Sequence, residues 1–286
     1  MADTALCVIH LVRAINGVRP LEKFLQSYET HPAGVDHELL LVFKGFQNER
    51  VPPEYEVLLQ RVSHRRVHVP DFGFDITSYF RAAERATADM LCFLNSFSVI
   101  LADGWLSKLH RAALDPGAGV VGATGSYQGT QANRRLARDV ANVIGRPAWV
   151  RFLLWFPVVA KLNTWRLGRS FPYFPNPHVR TNAFMLRREM MVALHPKEVR
   201  TKRQSFEFES GKNGMTRQIL AMGKSAYVVG RDGAMYDVKE WWKSGTFWVA
   251  EQENLLVGDN QTRRYLTANT RARQVYTRLA WGDGPQ

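Results

Sequence analysis

The chain has 286 residues, 45% hydrophobic and 22% charged, an ordinary globular balance that excludes an extensively disordered protein. Thirty-eight lysines and arginines against 26 acids leave a formal net charge of +12, which favours an anionic partner: a phosphate-bearing ligand, a membrane surface or nucleic acid. The longest apolar run, Phe152 to Ala160, contains a proline and falls well short of the ~20 residues of a simple spanning helix.

Ala5 to Leu11 reads as a first strand, and the short apolar start without a basic segment reads as no secretory signal. Its Cys7, like Cys92 further on, lies inside an apolar run, which predicts buried reduced thiols. Pro20 to Thr30 predicts a helix, Glu38 to Phe43 a strand ending at Lys44-Gly45, Pro53 to Val62 a helix and Arg66 to Val69 a short strand. The stretch Asp71 to Leu109 is the most informative. A Gly73-Phe74-Asp75 turn leads to a helix with Asp75, Thr77 or Ser78 as N-cap and with Tyr79, Phe80, Ala83 and Ala86 at helical spacing. The strand Met90 to Leu94 then stops at Asn95-Ser96-Phe97-Ser98, and a helix over Gly104 to Leu114 precedes Val120-Val121-Gly122. This alternation predicts an α/β fold with a mostly parallel sheet and helices on both faces. Ligands bind at the carboxyl ends of such strands, so the Asn95–Ser98 end is a site candidate.

Gln131 to Ile144 patterns as an amphipathic helix, and the segment to Arg169 mixes three tryptophans with basic residues. It reads either as a buried helical hairpin or as a platform in a membrane interface. Asn176 to Arg188 reads as a loop and a strand, and Phe206 to Tyr227 as a loop followed by a helix over Met215 to Met222. A strand over Ala226 to Val229 and a basic amphipathic tail over Thr262 to Trp281 complete the chain.

The turn, helix and strand of Asp71 to Leu94 resemble the core of GT-A glycosyltransferases, especially the family 2 type and the related rhamnan-synthesis proteins. In those enzymes the strand ends in Leu-Asp-x-Asp, whose carboxylates hold a divalent metal against a nucleotide-sugar diphosphate; here both carboxylates are replaced. The resemblance implies a GT-A sheet with a helical insertion and a C-terminal helical extension. The parts are a nucleotide-sugar-binding half over 1–130, the insertion over 131–172, an acceptor-side half over 173–230 and an aromatic, basic extension over 231–286.

The resemblance also implies site residues. Glu209 is the first choice for the base that deprotonates an acceptor hydroxyl and Glu207 the second, although both also suit surface pairs with Lys202, Arg203 and Lys212. His10, Arg13 and Asn16 fall where the first loop meets the base, and Asp71 and Asp75 near base and ribose, with Asp75 also a candidate helix cap. Asn95, Ser96 and Ser98 remain as hydrogen-bonding groups for the donor, and Arg180 is the preferred guanidinium for its diphosphate over Arg187 and Arg188. His178, Asn182, Trp241 and Trp242 are acceptor-side candidates, with core packing the plainer account of the tryptophans. Mg²⁺ or Mn²⁺ is expected to be absent or weakly bound; if a carboxylate holds it, Asp103, Asp237 or Asp259 is the candidate, with a helix cap the plainer account of Asp103.

The leading expectation is therefore a cytoplasmic transferase, inverting, that moves a sugar from a nucleotide-sugar donor to a glycan or lipid-linked acceptor in cell-envelope polysaccharide synthesis. A peripheral position on an anionic membrane surface would use the positive charge. A non-catalytic GT-A scaffold that binds glycan or nucleotide is the second reading. Nucleic acid ranks last as a partner, because no recognition motif accompanies the dispersed basic residues.

Overall fold

The computed structural model describes residues 5–130, 139, 142, 165 and 167–283; the expected amphipathic helix and most of the tryptophan-rich insertion lie outside these residues. The first half runs β1 (Leu6–Arg13), α1 (Arg19–Thr30), β2 (Glu38–Lys44), α2 (Pro53–Leu59), β3 (Arg65–Val69), α3 (Asp75–Arg85), β4 (Met90–Leu94), β5 (Val99–Ile100), α4 (Trp105–Ala113), β6 (Ala118–Gly122) and β7 (Gly125–Ser126). After the insertion come β8 (His178–Val179), β9 (Ala183–Arg187), α5 (Arg188–Ala193), α6 (Lys202–Ser210), α7 (Met215–Ala221) and β10 (Ser225–Val229). The chain ends with β11 (Met235–Tyr236), β12 (Val257–Gly258), α8 (Asn260–Leu266) and α9 (Thr270–Trp281).

Eight strands form one sheet in the order β11-β10-β6-β9-β4-β1-β2-β3. Its strands are parallel except β9 and β11, which run against their neighbours. The alternation in the sequence thus yields the expected mixed α/β fold, with a mostly parallel central sheet flanked by helices. Two short pairs, β12 with β5 and β7 with β8, lie outside the main sheet.

Strand side chains alternate between faces, and the two cores follow that period. Cys7, Ile9 and Leu11 of β1, with Leu91 and Phe93 of β4, pack against α3 and α5 to α9. Leu6, Val8 and Val12, with Met90, Cys92 and Leu94, pack against α1, α2 and α4. Cys7 pairs with Leu91 while Val8 pairs with Cys92, so the two thiols lie on opposite faces of the sheet. Both are free and buried, and burial pushes the Cys7 thiol up to about 12 and the Cys92 thiol higher. They are inert core residues.

Three local expectations need correction. The N-cap of α3 is Phe74, with no side-chain cap; Asp75 is its first helical residue, and Thr77 instead exchanges hydrogen bonds with the Val199 backbone at 2.9 and 3.2 Å. Phe206 to Ser210 is helical rather than a loop, because Thr201 and Gln204 form a capping box that starts α6 and Phe208 is buried under it. Asp103 does not cap α4, whose N-cap is Gly104; it pairs with His31 at 2.7 Å.

Candidate active site at the carboxyl edge of the sheet

β1, β2 and β4 all point their carboxyl ends toward one edge of the sheet. β9 starts at that edge, since Ala183 pairs with Leu94 and the Asn95 amide donates to Asn182 O at 3.0 Å. The antiparallel strand therefore carries Arg180, Thr181 and Asn182 beside the end of β4.

At the ends of β1 and β2, Arg13 closes β1 and faces two carboxylates, with Nη1 3.6 Å from Asp75 Oδ1 and Nη2 4.0 Å from Asp71 Oδ1. Asp75 Oδ1 is itself buried, and burial raises this carboxyl above its usual range against the pull of Arg13 and Lys44. Lys44, at the end of β2, is 1% exposed, yet its ammonium is not stranded. It donates to the Phe72 and Phe74 carbonyls at 3.2 and 3.4 Å and to that of Gly73 between them. Burial, followed by the Arg13 charge, lowers its pKa, while Asp75 and Asp71 oppose the shift. Gly73 has φ +71°, and a Cβ there would stand 2.8 Å from Val199 O, so only glycine fits the turn that Lys44 grips. Between the ends of β1 and β2 lies an open cavity of about 590 Å³ lined by Ala14, Gly17, Gly45, Phe46, Asn48 and Tyr55 among others. Asp71 packs at its Gly45 border. A second cavity, over Ala33 to His37, lies at the opposite edge.

The Asn95–Ser98 segment is a turn closed on itself. Asn95 Oδ1 accepts from the Phe97 amide at 2.8 Å, and the single Ser98 hydroxyl proton is shared between Asn182 O at 3.0 Å and Asn95 Oδ1 at 3.3 Å. Ser96 Oγ alone of these groups is buried without a partner among the described residues. One amide oxygen already accepting from a backbone amide and two hydroxyls make a poor site for a hard divalent cation, which prefers carboxylates. No group of three His, Cys, Asp or Glu that could hold a metal occurs among the described residues.

On the other side, Glu209 Oε2 accepts from the Thr181 amide at 2.8 Å and from the Thr181 hydroxyl. Tyr79, fully buried on α3 with its hydroxyl unpartnered among the described residues, is within electrostatic range of both Asp75 and Glu209. Burial first, then these carboxylates, raise the phenol far above its usual value. Arg180 and Asp259 are brought together at 3.0 Å, with the guanidinium 4.1 Å over the Phe247 ring. Asp259 also caps α8, accepting from the Gln261 and Thr262 amides at 2.9 Å. One turn further on, Arg263 Nη1 donates to Phe97 O at 3.2 Å.

Other candidates fall elsewhere. His10 faces α1 because it alternates with Val8 and Val12; it is stacked on Phe24 at 3.7 Å, fully buried, and cannot contact a donor base. Asn16 ends the short 3-10 turn, Ala14–Asn16, that follows β1, with a buried, unpartnered Nδ2 among the described residues. Glu207 pairs with Arg203 at 2.9 Å along α6. His178 is buried, bonded through Nδ1 to Asn176 O at 2.8 Å, and burial lowers its pKa. Asn182 is buried between Thr124, at 2.6 Å, and Val257 O, so it is not available to an acceptor. Trp241 is wholly in the core, its Nε1 donating to Tyr236 O at 3.1 Å, while Trp242 is half-buried with the Lys243 ammonium over its ring. As metal ligands, Asp103 lies past the end of α1 at the opposite edge, Asp237 is exposed in a turn beyond the edge strand β11, and Asp259 is committed to Arg180 and α8. Arg187 and Arg188 lie at the far edge too, since Arg187 pairs with Met90.

Lys44, Tyr79 and Arg263 reach this edge through contacts that no local sequence pattern marks as a site. A lysine ending the run Leu39 to Phe43 was the one visible signal for Lys44, and the Asp259-x-x-Thr262 spacing before Arg263 is a helix-start signal.

No protein-family model matches the chain, and no curated protein matches it. Among solved structures, glucosyl-3-phosphoglycerate synthase from Mycobacterium tuberculosis, in complex with Mn²⁺, uridine diphosphate and glucosyl-3-phosphoglycerate, is 17% identical with a TM-score of 0.40. That match covers 68% of this chain, which spans 60% of the synthase. The mannosyltransferase PcManGT from Pyrobaculum calidifontis, with GDP-Man and Mn²⁺, is 11% identical over 96% of this chain and 69% of its own, with a TM-score of 0.44. TarS from S. aureus is 15% identical over 41% of this chain and 21% of its own, with a TM-score of 0.33.

Proposed function

We propose that this protein is a glycosyltransferase that moves a sugar from a nucleotide-sugar donor to a glycan or lipid-linked acceptor. The observation that carries the reading is the convergence on one sheet edge of a donor-side cluster, Arg13, Asp71 and Asp75 on the turn gripped by Lys44, with a Thr181-anchored carboxylate, Glu209. In this reading the nucleoside occupies the cavity between β1 and β2, with Asp71 and Asp75 toward its base and ribose. The acceptor hydroxyl attacks the anomeric carbon, Glu209 takes its proton, and the nucleoside diphosphate departs from the opposite face, inverting the configuration. Thr181 holds one Glu209 oxygen, which orients the carboxylate without neutralising it.

The parts proposed from the sequence suit this division, with 1–130 on the donor side and 173–230 on the acceptor side. The +12 charge suits a peripheral position on an anionic membrane surface. Among the described residues no helix is long and apolar enough to cross a membrane. The Asn95–Ser98 turn, whose polar groups largely satisfy one another, favours a second reading: a scaffold that binds nucleotide or glycan without catalysis.

The test is a panel of nucleotide sugars offered with Mn²⁺ and with EDTA, read by calorimetry and by release of nucleoside diphosphate. Binding with turnover supports the transferase, and binding without turnover supports the scaffold. Neither binding nor turnover with any member overturns the transferase and the nucleotide-binding scaffold alike, and a glycan-array screen then tests the glycan-binding scaffold.

A further inference from the structure

We propose that Arg263 receives the donor's diphosphate at the Asn95–Ser98 turn, so that this protein binds a diphosphate through a guanidinium rather than through a divalent cation. The inference rests on the donor-site reading above and names the group that meets the leaving charge.

Departure of a nucleoside diphosphate concentrates negative charge beside the end of β4, and a fixed cation or metal must meet it. The turn does not fit a metal: it offers no carboxylate, Asn95 Oδ1 already accepts from the Phe97 amide, and the Ser98 hydroxyl is buried against Asn182 O. The cations around this edge differ in what already holds them. Arg13 faces Asp71 and Asp75. Lys44 is buried beneath three carbonyls. Arg180 is 11% exposed and paired through Nη2 with Asp259, which compensates its charge, although its Nη1 is buried without a partner among the described residues.

Arg263 is partly exposed, and no carboxylate pairs with it among the described residues. Its Nη1 is bonded to Phe97 O, inside the turn itself, which leaves the rest of the five-donor guanidinium for an anion.

The helix that carries Arg263 is fixed against the turn. Gly258 of β12 pairs with Val99, the residue after Ser98, and Asp259 then starts α8. The Arg263 amide donates to Asp259 O at 3.1 Å, so the ion pair with Arg180 and the capping box hold the helical turn beneath the guanidinium. A second observation lies in the same turn: Ser96, the residue before the Phe97 that Arg263 holds, is 3% exposed with its Oγ buried and without a partner among the described residues. A phosphate oxygen is a strong acceptor for that hydroxyl.

The test is calorimetric titration of the full chain with inorganic pyrophosphate in EDTA. The wild type is expected to bind. Arg263→Gln is expected to weaken binding about ten- to a hundredfold, the worth of charged hydrogen bonds, and Arg263→Lys less. Ser96→Ala, a small change at a buried site, is expected to weaken binding while raising the melting temperature, and it carries the test if Arg263→Gln does not fold. Binding that appears only with Mn²⁺, or affinities in Arg263→Gln and Ser96→Ala equal to the wild type, overturns this inference and leaves the donor-site reading standing. No binding of pyrophosphate or of any nucleotide sugar, with or without Mn²⁺, overturns both.

Discussion

Arg180 and Asp259, 79 positions apart, form a buried ion pair 3.0 Å long in which the carboxylate is 1% exposed and also caps α8. The two sides of the pair are not equivalent. Removing Asp259 strands a buried guanidinium and uncaps the helix, whereas removing Arg180 leaves the carboxylate its two backbone donors. Asp259→Ala is expected to cost about 3–5 kcal/mol. Arg180→Ala is expected to cost less, and the double variant less than the sum of the two. Urea denaturation of the three variants measures this order, and equal costs for the two single changes would contradict it.

Glu209 and Glu207 lie two residues apart on α6 but serve different neighbours. Glu209→Gln keeps an oxygen for the Thr181 amide while losing the basic carboxylate, so transfer is expected to fall about 10²- to 10⁴-fold with nucleotide affinity unchanged. Glu207→Gln removes only a surface pair with Arg203, worth about 0.3–0.5 kcal/mol, and is expected to leave turnover intact. Steady-state rates and calorimetry on both variants decide between them.

Lys44 binds three consecutive carbonyls of the turn that presents Asp75. Lys44→Met fills the same volume but leaves those carbonyls without their donor. We expect a loss of about 2–3 kcal/mol and a rise in donor KM larger than any fall in kcat. A variant of unchanged stability would show that the ammonium contributes no net stabilisation to the turn.

His10 sets an acid limit on stability. It is buried with neither ring nitrogen bonded among the described residues, and burial pulls its pKa down to about 3 from the ordinary value of 6.5. The unfolded chain therefore binds a proton that the folded chain refuses, so this contribution is complete above pH 6.5 and is lost as pH falls toward 3. His10→Phe keeps the stack on Phe24 and removes the titration, and it is expected to flatten the pH dependence by at most about 1.4 kcal/mol per unit in that window. Part of the slope is expected to remain, because burial lowers His178 in the same direction. Melting temperatures from pH 4 to 8 for both proteins check this.

Local pattern carried the elements but not their surroundings. Leu6 to Val12 and Met90 to Leu94 are uniformly apolar because both faces of a central parallel strand are covered, and that composition is visible without any structure. The Gly73 turn is equally legible, since a left-handed backbone there leaves room for glycine alone. The helix that bears Glu209 reads as a loop from its acidic pair, because its start lies at the Thr201–Gln204 capping box several positions earlier.

By itself the sequence determined the α/β alternation, the glycine turn before α3 and the abrupt polar end of β4, since periodicity and backbone sterics act over a few residues. The docking of distant elements sets which charges are paired. Pairs such as Arg180 with Asp259, the grip of Lys44 on Phe72 to Phe74 and the contact of Arg263 with Phe97 join residues between 28 and 166 positions apart. No local pattern encodes them. Whether a cation is spent on a neighbour or left for a ligand depends on distance and burial, which exist only once β9 and α8 are docked at the end of β4.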